Sequence, residues 1–192
     1  MSAWITMIDE AAASDDLTDA YDEARSPNGH LENVLKIHSH RPNIMRGHVR
    51  LYRSILHDEA NTVPEWFQET VGAYVSMING GSYSYANHWA NARHLIGDDS
   101  RADAIEAAFH DREPERVFED GELAALQYAE KLTSRPNEMV EADVEAMRAG
   151  GFDDGQILEI NQVCCYFAYA NRLLNGLGVS LGGAPVGFYA EA

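Results

Sequence analysis

Glu69, Ser84 and His88 are the residues of this sequence whose types and spacing offer proton chemistry. On a 3.6-residue wheel, Phe67, Val71, Tyr74, Val75 and Ile78 form an apolar face, and Glu69 shares the opposite face with Gly72, Ala73, Ser76 and Gly80. Small side chains there let a second helix approach closely, and a carboxylate covered by it is partly desolvated and suited to proton transfer. The competing reading is an ordinary surface glutamate. After Gly80-Gly81, Ser82-Tyr83-Ser84 falls in the first turn of a new helix, where free N–H groups and the helix dipole favour negative charge. Ser84 and His88 are one turn apart and share a face, which places His88 to take a proton from the Ser84 hydroxyl. The plainer alternative is that Ser82 or Ser84 caps the helix and His88 is a packed histidine. A working Ser–His pair also needs a third, orienting group, and the sequence identifies none.

Other groups carry weaker signals. His38, His40 and His48 suggest a metal site, but an i, i+2 pair does not share a helix face and no carboxylate matches the spacing. Trp66, Phe67, Tyr74, Tyr83, Tyr85 and Trp89 either line a hydrophobic pocket or fill a core, with core favoured. Arg172 pairs with an acidic helix or meets an anionic substrate, and pairing is favoured. Cys164 and Cys165 are adjacent, so they point about 100° apart on a helix and suit neither a structural disulfide nor a CxxC pair.

The elements that must position these groups read as an all-α chain. The expected helices are Asp9 to Arg25, closed by Ser26-Pro27-Asn28-Gly29; a short one from about Leu31 to Arg41-Pro42; Pro42 to His57, carrying Ile44, His48, Leu51, Tyr52 and Ile55; one started by Pro64 and ended by Gly80-Gly81; and Ser82 to about Ile96. The acidic stretch Gly97 to Asp120, with a weaker helix at Arg101 to His110 and a break at Pro114, reads as a surface excursion. Helices follow at Glu122 to Thr133, Val140 to Ala149 and Asp153 to Leu177. The last carries a buried-looking stripe of Ile157, Ile160, Cys164, Phe167, Asn171 and Leu174, with Cys164 read as core. The tail from Gly176 to Ala192 is expected to wrap over a neighbouring surface. No repeat or linker divides the 192 residues, which suit a single domain, 1–192, with a real core.

Bulk charge narrows the partners. Asp and Glu number 31 against 14 Lys and Arg, a formal charge of −17 that repels nucleic acid and anionic lipid. No apolar run has the length of a membrane span, and the start shows no basic leader with an apolar stretch and cleavage site, so a soluble cytoplasmic protein is expected.

Glu69, Gly81, Ser84 and His88 have the spacing of the motif E-x11-C-x2-C-x3-H, with both cysteines replaced, Gly81 standing at the first and Ser84 at the second. Asn79-Gly80 before the motif, Tyr83 within it, Trp4-Ile5, Lys36-Ile-His-Ser-His-Arg-Pro42, Tyr166-Phe-Ala-Tyr-Ala-Asn-Arg172 and Gly176-Leu-Gly-Val179 extend the likeness over nearly the whole chain. In these features the sequence resembles the alkylhydroperoxidase D and carboxymuconolactone decarboxylase superfamily, in its peroxidase-related branch. The resemblance implies an alkylhydroperoxidase D-like bundle of about seven to nine helices, assembled as a homo-oligomer (trimer, hexamer or dimer). It also implies thiol peroxidases in which the second cysteine attacks peroxide, the first resolves the sulfenic acid, and Glu and His relay protons. With Gly81 and Ser84 in the cysteine positions that redox cycle is lost, while Glu69 and His88 remain.

The favoured expectation is a non-redox acid–base enzyme (lyase, decarboxylase, isomerase or lactone chemistry) acting on a small organic molecule without metal or cofactor. Glu69 would be the base or acid and His88 its shuttle; Ser84 and Tyr83 would assist, with the first-turn amides, in holding an oxyanion or carboxylate; and Ser82, Gly81 and Trp89 would complete the binding surface. A catalytically silent homologue serving binding or assembly is the alternative, and a peroxidase-related protein acting through Cys164 or Cys165 the third. An enzyme should enclose Glu69 and His88 at one pocket; a silent homologue should have it filled by Tyr83, Tyr85 or Trp89.

Overall fold

The computed structural model describes residues 2–26, 29–183 and 186–189, and every regular element among them is helical. The helices are α1 (Asp15–Ala24), α2 (Asn33–Lys36), α3 (Pro42–Leu56), α4 (Glu65–Ile78), α5 (Ser82–Ile96), α6 (Asp99–Asp111), α7 (Asp120–Ser134), α8 (Glu141–Ala149) and α9 (Asp154–Leu177), with short 3₁₀ turns between. None is long and apolar enough to cross a membrane.

Local chemistry sets several ends. Ser14 Oγ accepts from the Leu17 amide, so α1 begins there and the expected start at Asp9 is reduced to a 3₁₀ turn at Glu10–Ala12. Asp153 and Gln156 bond reciprocally to each other's backbone N–H groups, a capping box that opens α9. The second helix is shorter than its sequence suggests: only Asn33–Lys36 is α-helical, and hydrogen-bonded turns continue to Arg41, which is non-helical before Pro42. Pro27-Asn28 in the expected stop after the first helix, and positions 184, 185 and 190–192 of the tail, lie outside the described residues.

Helix α4 is the axis of the molecule. Every residue from Phe67 to Ser76 is buried, so the two-faced wheel expected from its sequence gives way to a helix covered on all sides. It packs on α5, α7 and α9. The small-residue face does admit a partner closely: a Cβ on Gly72 would stand 2.2 Å from Phe167 Cε2 of α9. The stripe expected on α9 is the buried one, Ile157 through Leu174.

In two places a second layer of packing decides which side of a helix is buried. In α3 the buried residues are Met45, His48, Val49, Ile55 and Leu56, while Ile44 and Leu51 are 48% and 43% exposed. Helix α1 covers one side of α3, with Leu17, Ala20 and Tyr21 on Met45 and Val49, and α9 covers the other, which turns the buried face by one residue. The acidic stretch is likewise no excursion. Its α6 buries Ala102, Ile105, Ala108 and Phe109, and with Phe118 these join the main core beside Tyr74 and Trp89. Acidity marks only its outer side.

Gly72→Ala forces the Phe167 ring off its seat, and overpacking of this kind costs about 1–3 kcal/mol. The expected outcome is a lowered urea midpoint with unchanged slope, measured by circular dichroism.

Candidate active site

In the second turn of α4, Glu69 is 0% exposed. A carboxylate so placed needs partners, and α5 supplies both. His88 Nδ1 lies 2.6 Å from Glu69 Oε2, and Asn91 Nδ2 donates to Oε1 at 3.2 Å. The surface reading of Glu69 is thereby overturned. Asn91 went unnoticed in the sequence, although its i+3 spacing from His88 puts it on the same face and was the available signal. With Nδ1 committed to the carboxylate, His88 keeps Nε2 for other work, and its ring is braced edge-on by Phe167 at 4.4 Å between centroids.

The start of α5 sorts the remaining predicted residues. Tyr83, Ser84 and His88 line a cavity of about 420 Å³, whereas Ser82, two residues from Ser84, is exposed on the opposite side of the helix. Gly81 is the N-cap residue but makes no side-chain cap and does not reach the cavity, and neither Ser82 nor Ser84 serves as the cap. Trp89 is core, packed on Phe109, not a cavity wall. Tyr85 turns to Glu106 of α6. Ser84 makes no hydrogen bond to His88 among the described residues, so the geometry gives no Ser–His nucleophile.

Gly81 has a second structural role. A Cβ there would lie 1.7 Å from Asn171 Oδ1. Asn171 is locked in place by donating to Ser76 Oγ at 3.0 Å and to the Phe167 carbonyl at 2.8 Å. The space a side chain at position 81 requires is therefore occupied by α9.

Other walls of the cavity come from far along the chain and were not legible as site residues: Glu32 and Val34, Tyr52 and His57, Tyr166, and Phe188. Burial, reinforced by the Glu69 charge and opposed by His88, holds the Glu32 carboxyl above the ordinary carboxylate range. Burial also pushes the Tyr52, Tyr83 and Tyr166 phenols up, so all three stay protonated. His57 joins Tyr52 OH at 2.9 Å to Glu65 at 3.1 Å and stacks on Phe188 at 4.8 Å. The segment 186–189 is laid along α5 by two amides, Gly187 N–H donating to Asn87 Oδ1 and Phe188 N–H to Asn91 Oδ1.

The histidines at 38, 40 and 48 separate. His40 is exposed and bonds the Thr6 carbonyl. His38 and His48 are buried edge to face at 4.9 Å, and His48 Nε2 meets Tyr166 OH at 2.8 Å. Among the described residues no group of three or more His, Cys, Asp or Glu is placed to hold a metal ion. Cys164 is buried and Cys165 exposed; burial raises both thiols, and neither lines the cavity. Arg172 bonds the Ala168 carbonyl at 2.8 Å and has no carboxylate partner among the described residues, contrary to the expected ion pair.

No protein-family model and no curated protein matches the sequence. Solved structures do match in fold. A peroxidase-related protein with an alkylhydroperoxidase AhpD core from Ralstonia eutropha JMP134 aligns with a TM-score of 0.81 at 22% identity, covering 95% of this chain and 94% of its own. A peroxidase-related protein from Silicibacter sp. TM1040 gives 0.79 at 23% identity over 95% and 93%. A cysteine-to-alanine variant of the debrominase Bmp8, in complex with 2,3,4-tribromopyrrole, gives 0.76 at 15% over 96% and 94%. The chain has the alkylhydroperoxidase D-like fold.

Two measurements follow from this geometry. Introducing Gly81→Cys with Ser84→Cys yields no disulfide on mild oxidation and no dithiothreitol-driven reduction of cumene hydroperoxide while Asn171 is intact; adding Asn171→Ala allows the disulfide to form, as read by mass after alkylation. For His48, burial and the neighbouring His38 lower the imidazole from 6.5 to about 3. The unfolded chain takes up this proton as pH falls below 6.5, whereas the folded chain resists until about 3, so stability present above 6.5 is lost on acidification. The stability advantage of the parent over His48→Gln should shrink by about 2 kcal/mol between pH 7 and pH 5 in urea titrations.

Proposed function

We propose that this chain is a non-redox acid–base enzyme acting on a small organic molecule, with His88 the group that exchanges protons with the substrate and Glu69 its partner. One observation carries the reading: His88, held 2.6 Å from the buried Glu69 behind it, lines an open cavity of about 420 Å³, within the roughly 300–1,000 Å³ of small-molecule sites, while Glu69 itself is not part of the wall. Tyr83 forms part of the wall without filling the space, and Tyr85 and Trp89 are turned elsewhere, which disfavours a silent homologue. The debrominase of the same fold was captured with 2,3,4-tribromopyrrole, and that supports a ligand of this size.

The division of labour follows from the hydrogen bonds. A Glu69 carboxylate accepting from Nδ1–H fixes the tautomer whose Nε2 is a base, and it stabilises the imidazolium formed when that base takes a proton. Tyr83, whose oxygen accepts from the Val34 N–H, keeps its phenolic proton for an oxygen that gains charge during reaction, whereas the Tyr52 and Tyr166 hydroxyls are engaged by His57 and His48. Thiol chemistry has no support, because raised thiols outside the cavity offer little thiolate.

Glu69→Gln is the decisive variant. Its amide N–H would donate to His88 Nδ1 and hold the ring in the tautomer with a proton on Nε2, so a base becomes unable to accept. With the ligand that co-purifies with the protein, identified by native mass spectrometry and supplied as substrate, turnover should fall by about 10²–10⁴-fold with binding retained. Unchanged turnover would sink the assignment.

A further inference from the structure

Glu32 is the polar group of the cavity that the Glu69–His88 pair does not explain. It sits at the N-cap of α2 without capping it, and its carboxyl has neither a hydrogen bond nor an ion pair among the described residues. Glu69, by contrast, has two donors. Both carboxyls and His88 feel one another's charge. Two carboxyl groups at one low-dielectric site do not both ionise cheaply, and the one with partners keeps the charge. Glu32, lining the cavity with His88 and without a donor of its own among the described residues, is the carboxyl placed to hold a proton, while Glu69 is met by two donors.

The cations nearby do not alter this balance. Arg25 is held by Glu10 and Asp22, and Arg53, exposed at the cavity's edge, donates to the Arg25 carbonyl at 3.1 Å. An anionic substrate would find, apart from Arg53 at the edge, no cation free of a carboxylate among the described lining residues, which weighs against the oxyanion or carboxylate cradle expected from the helix start. The walls favour an uncharged molecule with a flat apolar body, facing Phe188 and the rings of Tyr52 and Tyr166.

We propose that Glu32 is the acid partner of His88, and that the site enolises an uncharged carbonyl compound, such as a cyclic ketone or lactone, to shift a proton between carbons. The inference rests on the acid–base reading given above. In the forward step His88 Nε2 takes a proton from the carbon next to the carbonyl. The C–H electron pair becomes the C=C bond, the carbonyl π pair moves to oxygen, and that oxygen takes the Glu32 proton. In the return step the enol O–H gives its proton back to Glu32 while His88 delivers its proton to the same carbon or to the far end of a conjugated double bond. Each group is restored and no co-reactant is consumed.

The test uses the full chain in D₂O with cyclohex-3-en-1-one as probe, following its conversion to the conjugated ketone by absorbance and deuterium uptake by NMR. The parent should accelerate both over buffer. Glu32→Gln should slow both by about 100-fold with probe affinity little changed, and Glu32→Asp should recover part of the rate. A Glu32→Gln rate within about threefold of the parent removes Glu32 from the chemistry but leaves Glu69 and His88 in place. A parent no faster than buffer with this probe and with 2-indanone overturns the carbonyl class, whereas full activity in Glu69→Gln strikes the underlying acid–base reading itself. Matching thermal midpoints of parent and Glu32→Gln exclude misfolding as the cause of a loss.

Discussion

A fully buried carboxylate in the second turn of the central helix is the constraint around which the site is arranged. Glu69 has no access to water, so its charge must be met by protein donors, and α5 meets it twice, through His88 and Asn91. That requirement fixes how α4 and α5 face each other across the Gly80-Gly81 break. It also fixes the His88 tautomer, and hence which ring nitrogen is left for chemistry. Phe167 then closes the arrangement from α9, resting on Gly72 with one edge and meeting the His88 ring at 81°. Core packing and the orientation of the His88 imidazole share one aromatic ring.

How much of this was legible depends on sequence distance. Glu69, Tyr83, Ser84 and His88 lie within one helix–break–helix unit, where helical geometry alone predicts which side chains meet, and the all-α pattern with most helix ends followed from caps and breakers. Within the same unit the wheel erred on Ser82, because two residues carry a side chain about 200° round the helix and away from Ser84. Glu32, Tyr52, Tyr166 and Phe188 come from four separate parts of the chain, and nothing local marks them. Only the packing of α3 on α9 and of α9 on α5, with the start of α2 and the segment 186–189 added at the rim, brings them together. The acidic α6 misled for a related reason: net charge describes its outer face, while Ala102, Ile105 and Phe109 decide its position.

The absent sulfurs have a structural counterpart. Gly81 is not simply a vacated cysteine position, because Asn171 stands where a side chain would begin and is held by two hydrogen bonds of its own. Packing fills the space beside Gly81, while on the other side of the break Glu69 and His88 keep their contact and His88 faces an open cavity. The loss and the retention occur on two faces of the same helix start, Gly81 toward α9 and Ser84 toward the cavity.

The amide of Asn91 faces two ways, its nitrogen to Glu69 and its oxygen to the Phe188 N–H. The segment 186–189 thus grips the same side chain that steadies the buried carboxylate. A change at Asn91 therefore loosens two things at once, the seat of that covering segment and one of the two donors that meet the Glu69 charge.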